Sequence, residues 1–199
     1  MTRTALSALL LGLAALSGCV APTGPVEVTR FHEPAALDQL GHGTIAVAAA
    51  PGGDPASLEI RTYLAAVSRQ LGAIGYADGT ADSADQVALV RVERSYYKPD
   101  RTRGPVSVGV GGATGGGWGS SVGMGLGIDL SGGPKDQVST ELSVQIRNRA
   151  SDAVLWEGRS HFAVAADSPM ADTQLGAAKL AEALFADFPG TSGETVEVK

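Results

Sequence analysis

"GTIAVAAAPGGDPASLEIRTYLAAVSRQLGAIGYADGTADSADQVALVRVERSYY", residues Gly43 to Tyr97, holds the pattern on which the fold turns. Its opening is a short apolar run that ends at Pro51, as a buried strand would. Asp54 followed by Pro55 predicts a helix N-cap with proline at the first helical position. Ile60, Tyr63, Leu64, Val67, Leu71 and Ile74 then recur at helical spacing, and Gly75 supplies the stop. An acidic loop leads into "DQVALVRVERSYY", a second strand. Strand, helix, strand over this length predicts a right-handed crossover between parallel strands.

The flanks add antiparallel partners. Val26 and Val28 alternate with Glu27 and Thr29, which predicts an earlier strand. "STELSVQIRNR" sets Leu142, Val144 and Ile146 on one face and Glu141, Ser143, Gln145 and Arg147 on the other. That is a half-buried antiparallel strand. "NRASDA" turns into another, "VLWEGRSHFAV", where Trp156 reads as a core anchor and Gly158 as the room for close packing. Ser168 and Pro169 open a second predicted helix, with Ala177, Ala181, Leu184 and Phe188 on one stripe and Pro189–Gly190 as its end. The expected class is α+β, a two-layer sandwich: a mixed, mostly antiparallel sheet with two helices packed on one face.

Residues 104–133 are the unusual part, with glycine at 13 of 30 positions. A phosphate loop would need a helix N-terminus and a Gly-Lys-Ser/Thr, and neither follows. A flexible linker would lack order. Here Val106, Val108 and Val110 alternate with Ser107, Gly109 and Gly111. Val122, Met124, Leu126, Ile128 and Leu130 alternate with Gly123, Gly125, Gly127 and Asp129. The prediction is a β-hairpin over 105–130, apolar on one face and nearly bare on the other. Glycine in a strand marks close backbone approach. The bare face around Gly109, Gly123, Gly125 and Gly127 either packs under another element or offers a docking surface, with Trp118 in the connecting loop.

The N-terminus gives an address. Arg3 precedes an apolar run from Ala5 to Leu16, shorter than the about 20 residues of a membrane-spanning helix. It has the form of a secretory signal peptide. Leu16-Ser17-Gly18-Cys19 resembles the lipobox of bacterial lipoproteins, in which cleavage falls before a cysteine that is then acylated. Cys19 is the sole cysteine, so acylation would also remove an unpaired thiol from an exported chain. A single acyl chain anchors weakly, and the lipoprotein modification implies several, palmitate among them. Val20, standing where sorting signals would put Asp, points to the outer membrane by analogy with Gram-negative lipoproteins. The expected layout is a removed signal peptide over 1–18, an acylated tether over 19–25, one domain over 26–190, and a flexible tail over 191–199.

Apolar content of 44% and charged content of 18% suit a globular domain with a core of its own. A net charge of -6 with no basic block excludes nucleic acid as the expected partner. The order from Thr44 to Gly190 resembles the envelope lipoproteins catalogued as domain of unknown function 4136. That resemblance rests on the lipobox, "LGAIGYADGTADSADQVALV", the glycine-rich middle, "LWEG", and a last helix ending in "FP". More loosely, the chain is similar to lipoproteins that activate penicillin-binding proteins and to the N-terminal domain of the Tol-Pal translocation protein. Those relatives imply contact with other envelope components and no catalytic residues.

The residues themselves name no chemistry. His32, His42 and His161 lack the spacing of a helical zinc site. Asp78, Asp82 and Asp85 lack the ligand order of a calcium loop. No Gly-x-Ser-x-Gly elbow is present, and nothing in the sequence singles out a carboxylate pair such as Glu93 and Glu141. The expectation is a non-enzymatic interaction or scaffold lipoprotein with no cofactor or metal, held to the membrane through Cys19 and facing an envelope protein partner. The alternatives are a lipid- or small-ligand-binding lipoprotein and, third, a hydrolase.

Overall fold

The computed structural model describes residues 24–98, 106–111, 123–128 and 135–199. Nine strands lie in these residues: β1 (Val26–His32), β2 (Thr44–Ala49), β3 (Ala77–Asp78), β4 (Gln86–Tyr97), β5 (Val106–Gly111), β6 (Gly123–Ile128), β7 (Gln137–Asn148), β8 (Val154–Ala165) and β9 (Thr195–Val198). Two α-helices, α1 (Leu58–Ala73) and α2 (Thr173–Phe185), accompany them. Seven strands form one sheet in the order β3-β2-β4-β7-β8-β1-β9, and β5 and β6 form a second. β2 runs parallel to β4 with α1 between them in sequence, the predicted crossover. From β4 to β9 every pairing is antiparallel. The fold is α+β, with the helices against the sheet.

Alternation decides which face is covered. In β7, Val138, Thr140, Leu142, Val144 and Ile146 are buried while the residues between them are half-buried. Tyr63, Val67 and Leu71 of α1 and Ala177, Leu180, Ala181 and Leu184 of α2 share the core with that inner row. Trp156 is fully buried, and its ring lies across Gly158: a Cβ there would stand 2.2 Å from Trp156 Cη2 and 2.8 Å from Leu184 Cδ1. The glycine in "LWEG" is therefore the floor beneath the tryptophan. Phe185 and Phe188 close over the ring at centroid distances of 5.5 and 5.3 Å.

Several element ends differ from the sequence reading. Asp54 does not cap α1. Its Oδ1 accepts from Ala56 N within a turn, and Ser57 occupies the cap position before Leu58. Ser168 and Pro169 start only a single 3-10 turn, Pro169–Ala171; Asp172 then caps α2, its carboxylate accepting from Gln174 N at 2.8 Å. Two separate capping side chains four residues apart split what reads as one helix. α2 ends at Phe185, so Phe188 reaches the core from the following turn rather than from a helical stripe. The expected flexible tail also contains β9, paired with β1 from Val26–Val198 to Thr29–Thr195. "TVEV" is four residues of period-two pattern, too short to separate from a loop by sequence, and β1 supplies the open edge it needs.

Arg30 is the departure inside the core. It occupies an inward position of β1 and is only 5% exposed. Its Nε donates to Leu184 O at 2.9 Å, and its Nη2 donates to Ala183 O at 3.0 Å and Ala186 O at 2.7 Å. These carbonyls lie in and just beyond the last turn of α2, where no helical N–H remains to meet them. Burial lowers the guanidinium pKa and the charge of Asp187 opposes it.

Candidate functional site

Among the described residues no helix covers the other face of the large sheet. Antiparallel registers place residues of successive strands side by side there, and the rows sort by charge. Glu93 of β4 lies opposite Glu141 of β7, Glu141 opposite His161 of β8, His161 opposite Glu27 of β1, and Glu27 opposite Glu197 of β9. Five strands thus contribute an unbroken Glu-Glu-His-Glu-Glu row, about 19 Å long at the usual strand spacing. The next row is Arg91, Ser143, Arg159, Thr29 and Thr195. Beyond it come Leu89, Gln145, Glu157 and Phe31.

Hydrogen bonds knit these rows together. Arg159 Nη2 donates to Glu157 Oε1 at 2.7 Å, Gln145 Nε2 to Glu157 Oε2 at 3.3 Å, and Arg147 Nε to Gln145 Oε1 at 2.7 Å. The Glu157 carboxylate pushes the Arg159 guanidinium pKa up. Ser143 Oγ donates to Glu141 Oε1 at 3.1 Å. Between the rows lies an open depression of about 590 Å³ lined by Arg91, Glu93, Glu141, Ser143, Glu157 and Arg159 among others, Ala50 and Pro51 included. Like charges placed directly opposite across a ladder destabilise a sheet. Glu93 against Glu141 is such a pair, so this feature works against the fold that carries it.

His161 joins two groups at the acidic row. Its Nε2 stands 2.8 Å from Ser139 Oγ, and its Nδ1 3.9 Å from Glu27 Oε2. Hydroxyl, imidazole and carboxylate are the residue types of a nucleophilic triad. The carboxylate contact, however, is longer than a hydrogen bond. β7 is also flanked by β4 and β8 along its whole length, which commits the backbone N–H groups around Ser139 to ladders instead of an oxyanion.

The other histidines sit apart, His32 Nε2 against Gly190 O and His42 Nδ1 against Leu40 O. The acidic loop disperses too. Asp85 accepts from Thr44 N at 3.0 Å and Thr44 Oγ1 at 2.7 Å, which hold its carboxyl below the usual range, while Asp78 meets Ser68. Of the residues singled out in the sequence, Cys19 and Trp118 lie outside the described residues. The glycines are brought together: Gly109 lies opposite Gly125, Gly111 opposite Gly123, and Ser107 opposite Gly127. Val106, Val108 and Val110 oppose Ile128, Leu126 and Met124 in the same ladder.

A family model described as domain of unknown function (DUF4136) matches residues 46–190. The chain belongs to that family. This DUF4136 domain begins within β2 and ends at the turn after α2, so Glu93, Glu141 and His161 fall inside the match, and Glu27 and Glu197 outside it. The chain is similar to an uncharacterized protein of Zymomonas mobilis subsp. mobilis, 27% identical over 227 aligned residues, 89% of this chain and 81% of that one. Among solved structures it is similar to a PDZ domain protein from Parabacteroides distasonis, with a TM-score of 0.48 and 12% identity over 88% of this chain but only 39% of that one. It is also similar to the PelC dodecamer from Paraburkholderia phytofirmans, with a TM-score of 0.40 and 14% identity over 81% of this chain and 93% of that one.

Proposed function

We propose that this chain is a lipid-anchored envelope lipoprotein, acylated at Cys19, facing the periplasm from the outer membrane, and acting as a non-enzymatic interaction module. The single observation that carries the docking role is the Glu93–Glu141–His161–Glu27–Glu197 row on a sheet face that no described helix covers. An antiparallel sheet commonly leaves one face to water, so the distinguishing feature of this face is its charge rather than its exposure. Here the face carries a like-charge pair that costs stability, and a partner presenting basic side chains would relieve it. Charge complementarity of this kind sets specificity and speeds encounter. The partner class is therefore a protein with a basic strip on its surface. Lipid or small-ligand binding would call for an enclosed apolar cavity. The depression on this face is instead open and lined mainly by charged and polar side chains.

The test is in-cell photocrosslinking of the full-length chain with the crosslinking residue at Ser143, in the middle of the face. A discrete adduct with an envelope protein, lost when Glu93 and Glu141 are both changed to Lys, is the expected result. Adducts of unchanged yield after the charge reversal would remove the acidic row from the interface. Intact mass of the membrane-extracted protein tests the anchor separately, since a mass without acyl groups ends the lipoprotein reading.

A further inference from the structure

The end of the domain from which the tether leaves carries exposed apolar side chains drawn from three elements. Arg94 organises that end. It lies opposite Thr140, which lies opposite Phe162; Val26, the first residue of β1, is one step beyond the Glu27–His161 pair and so stands at the same level. Arg94 Nη1 meets Glu59 Oε1 at 3.2 Å in the first turn of α1 and donates to Thr173 Oγ1 at 2.9 Å at the start of α2. Its Nη2 donates to Ala171 O, and its guanidinium stacks 5.6 Å from the Tyr96 ring centroid. Both helix N-termini, the far end of β4 and the start of β1 are thereby collected at one pole.

At this pole Leu58 is 77% exposed, Tyr96 71% and Leu175 50%. Leu58 precedes Glu59, Leu175 follows Thr173 by two residues, and Tyr96 stacks with Arg94, so all three belong to the segments that Arg94 joins. Arg61, one turn into α1, lines a groove with Leu58 and Gln174 and has no ion-pair partner among the described residues. Of the other charges of the pole, Lys98 pairs with Asp136 and Lys135 with Asp167, while the Asp172 carboxylate caps α2 by accepting from Gln174 N.

We infer that this pole rests on the lipid bilayer, with Leu58, Tyr96 and Leu175 entering the interface and Arg61 at the phosphates. The inference rests on the lipoprotein reading of Cys19, and tether length then selects the occupant. From Cys19 to Gly24 is five residues, at most about 18 Å of fully extended chain. Anchored acyl groups therefore keep the membrane close to the pole where β1 begins. Leucine and tyrosine tips with an arginine one turn behind match the apolar-to-phosphate order of an interface. With its local ion pairs closed, the pole would bind by apolar insertion more than by net charge. The acidic row runs one residue below the level of Val26, on the sheet face turned away from the helices.

The test uses the full-length acylated chain in vesicles of phosphatidylethanolamine and phosphatidylglycerol. Acylation consumes the native thiol, so Leu58→Cys, Leu175→Cys and Ser143→Cys each provide a unique site for an environment-sensitive fluorophore. The label at 58 and at 175 should shift to shorter wavelength and lose emission to nitroxide-bearing lipids, as a probe about 5–10 Å into the headgroup boundary does. The label at 143 should do neither. Co-flotation with no quenching at 58 and 175, or with equal quenching at all three, overturns the proposal while leaving the anchor intact. Failure to co-float overturns the anchor and the proposal together.

Discussion

Arg30 and Leu184, on the second strand from one sheet edge and in the last turn of α2, are joined by a 2.9 Å hydrogen bond from the guanidinium Nε to the backbone carbonyl. With Ala183 and Ala186 this makes one side chain the receiver for three carbonyls at the helix end. Arg30→Met should lower stability by about 1.5–3 kcal/mol, as losing buried hydrogen bonds from a charged group does. Arg30→Lys should recover little of it, because an ammonium cannot present the planar fork. Denaturant titration of both variants checks the ordering.

Trp156 and Gly158 form a second coupled pair. Trp156→Ala should cost about 3–5 kcal/mol. Gly158→Ala should cost about 1–3 kcal/mol through overpacking against Trp156 Cη2. The double variant should be more stable than the sum of the single changes, since the smaller residue vacates the space the added methyl needs. Strict additivity in thermal or denaturant unfolding would mean that the two side chains do not share this volume.

Alkaline pH should act through Tyr63. Burial pushes its hydroxyl up to about 12, with Arg94 pulling it down and Glu59 pushing it up. An unfolded tyrosine ionises near 10, so the folded state keeps a proton that the unfolded state gives up. The stability from the neutral phenol is whole below about pH 10 and declines towards pH 12, by up to about 1.4 kcal/mol per pH unit. Tyr63→Phe should flatten that part of the stability curve. Denaturant midpoints of the two proteins across the alkaline range measure it.

Glu93→Lys should stabilise the isolated domain by about 0.2–1 kcal/mol, because it turns a like-charge cross-strand pair into an opposite-charge one. The same change should weaken partner capture at Ser143. A gain in Tm with a loss of crosslinking would separate what the acidic row costs the fold from what it does for binding.

Most of the architecture was legible because local pattern and topology agree. Helical spacing from Ile60 to Ile74 and strict alternation from Leu142 to Arg147 each admit one reading. The glycine pairs of β5 and β6 were legible only in part: a period-two pattern gives each strand one bare row, and the register that sets Gly109 opposite Gly125 brings the two rows together. The acidic row was not. Glu27, Glu93, Glu141 and Glu197 are each an ordinary outward residue of an amphipathic strand, and they become neighbours only once the order β4-β7-β8-β1-β9 and its registers are known. Arg30 was hidden by the opposite effect. It follows two buried valines in an alternating strand, but its charge argues against the inward position until a helix end is there to receive it.

The pairing of β1 with β9 bears on how the molecule is made. Thr29 and Thr195, 166 positions apart, share a 2.7 Å hydrogen bond, and β1's other neighbour is β8. β1 therefore waits unpaired until β8 has followed α1, β4 and β7. Contacts this distant in sequence close late and slowly. During that interval Val26 and Val28 sit on an open edge, available to other chains. A lipid-anchored molecule would spend this wait at the membrane surface, where crowding by its own copies is greatest. For such a chain the last strand is a seal, and any clipped product lacking it would present the same edge permanently.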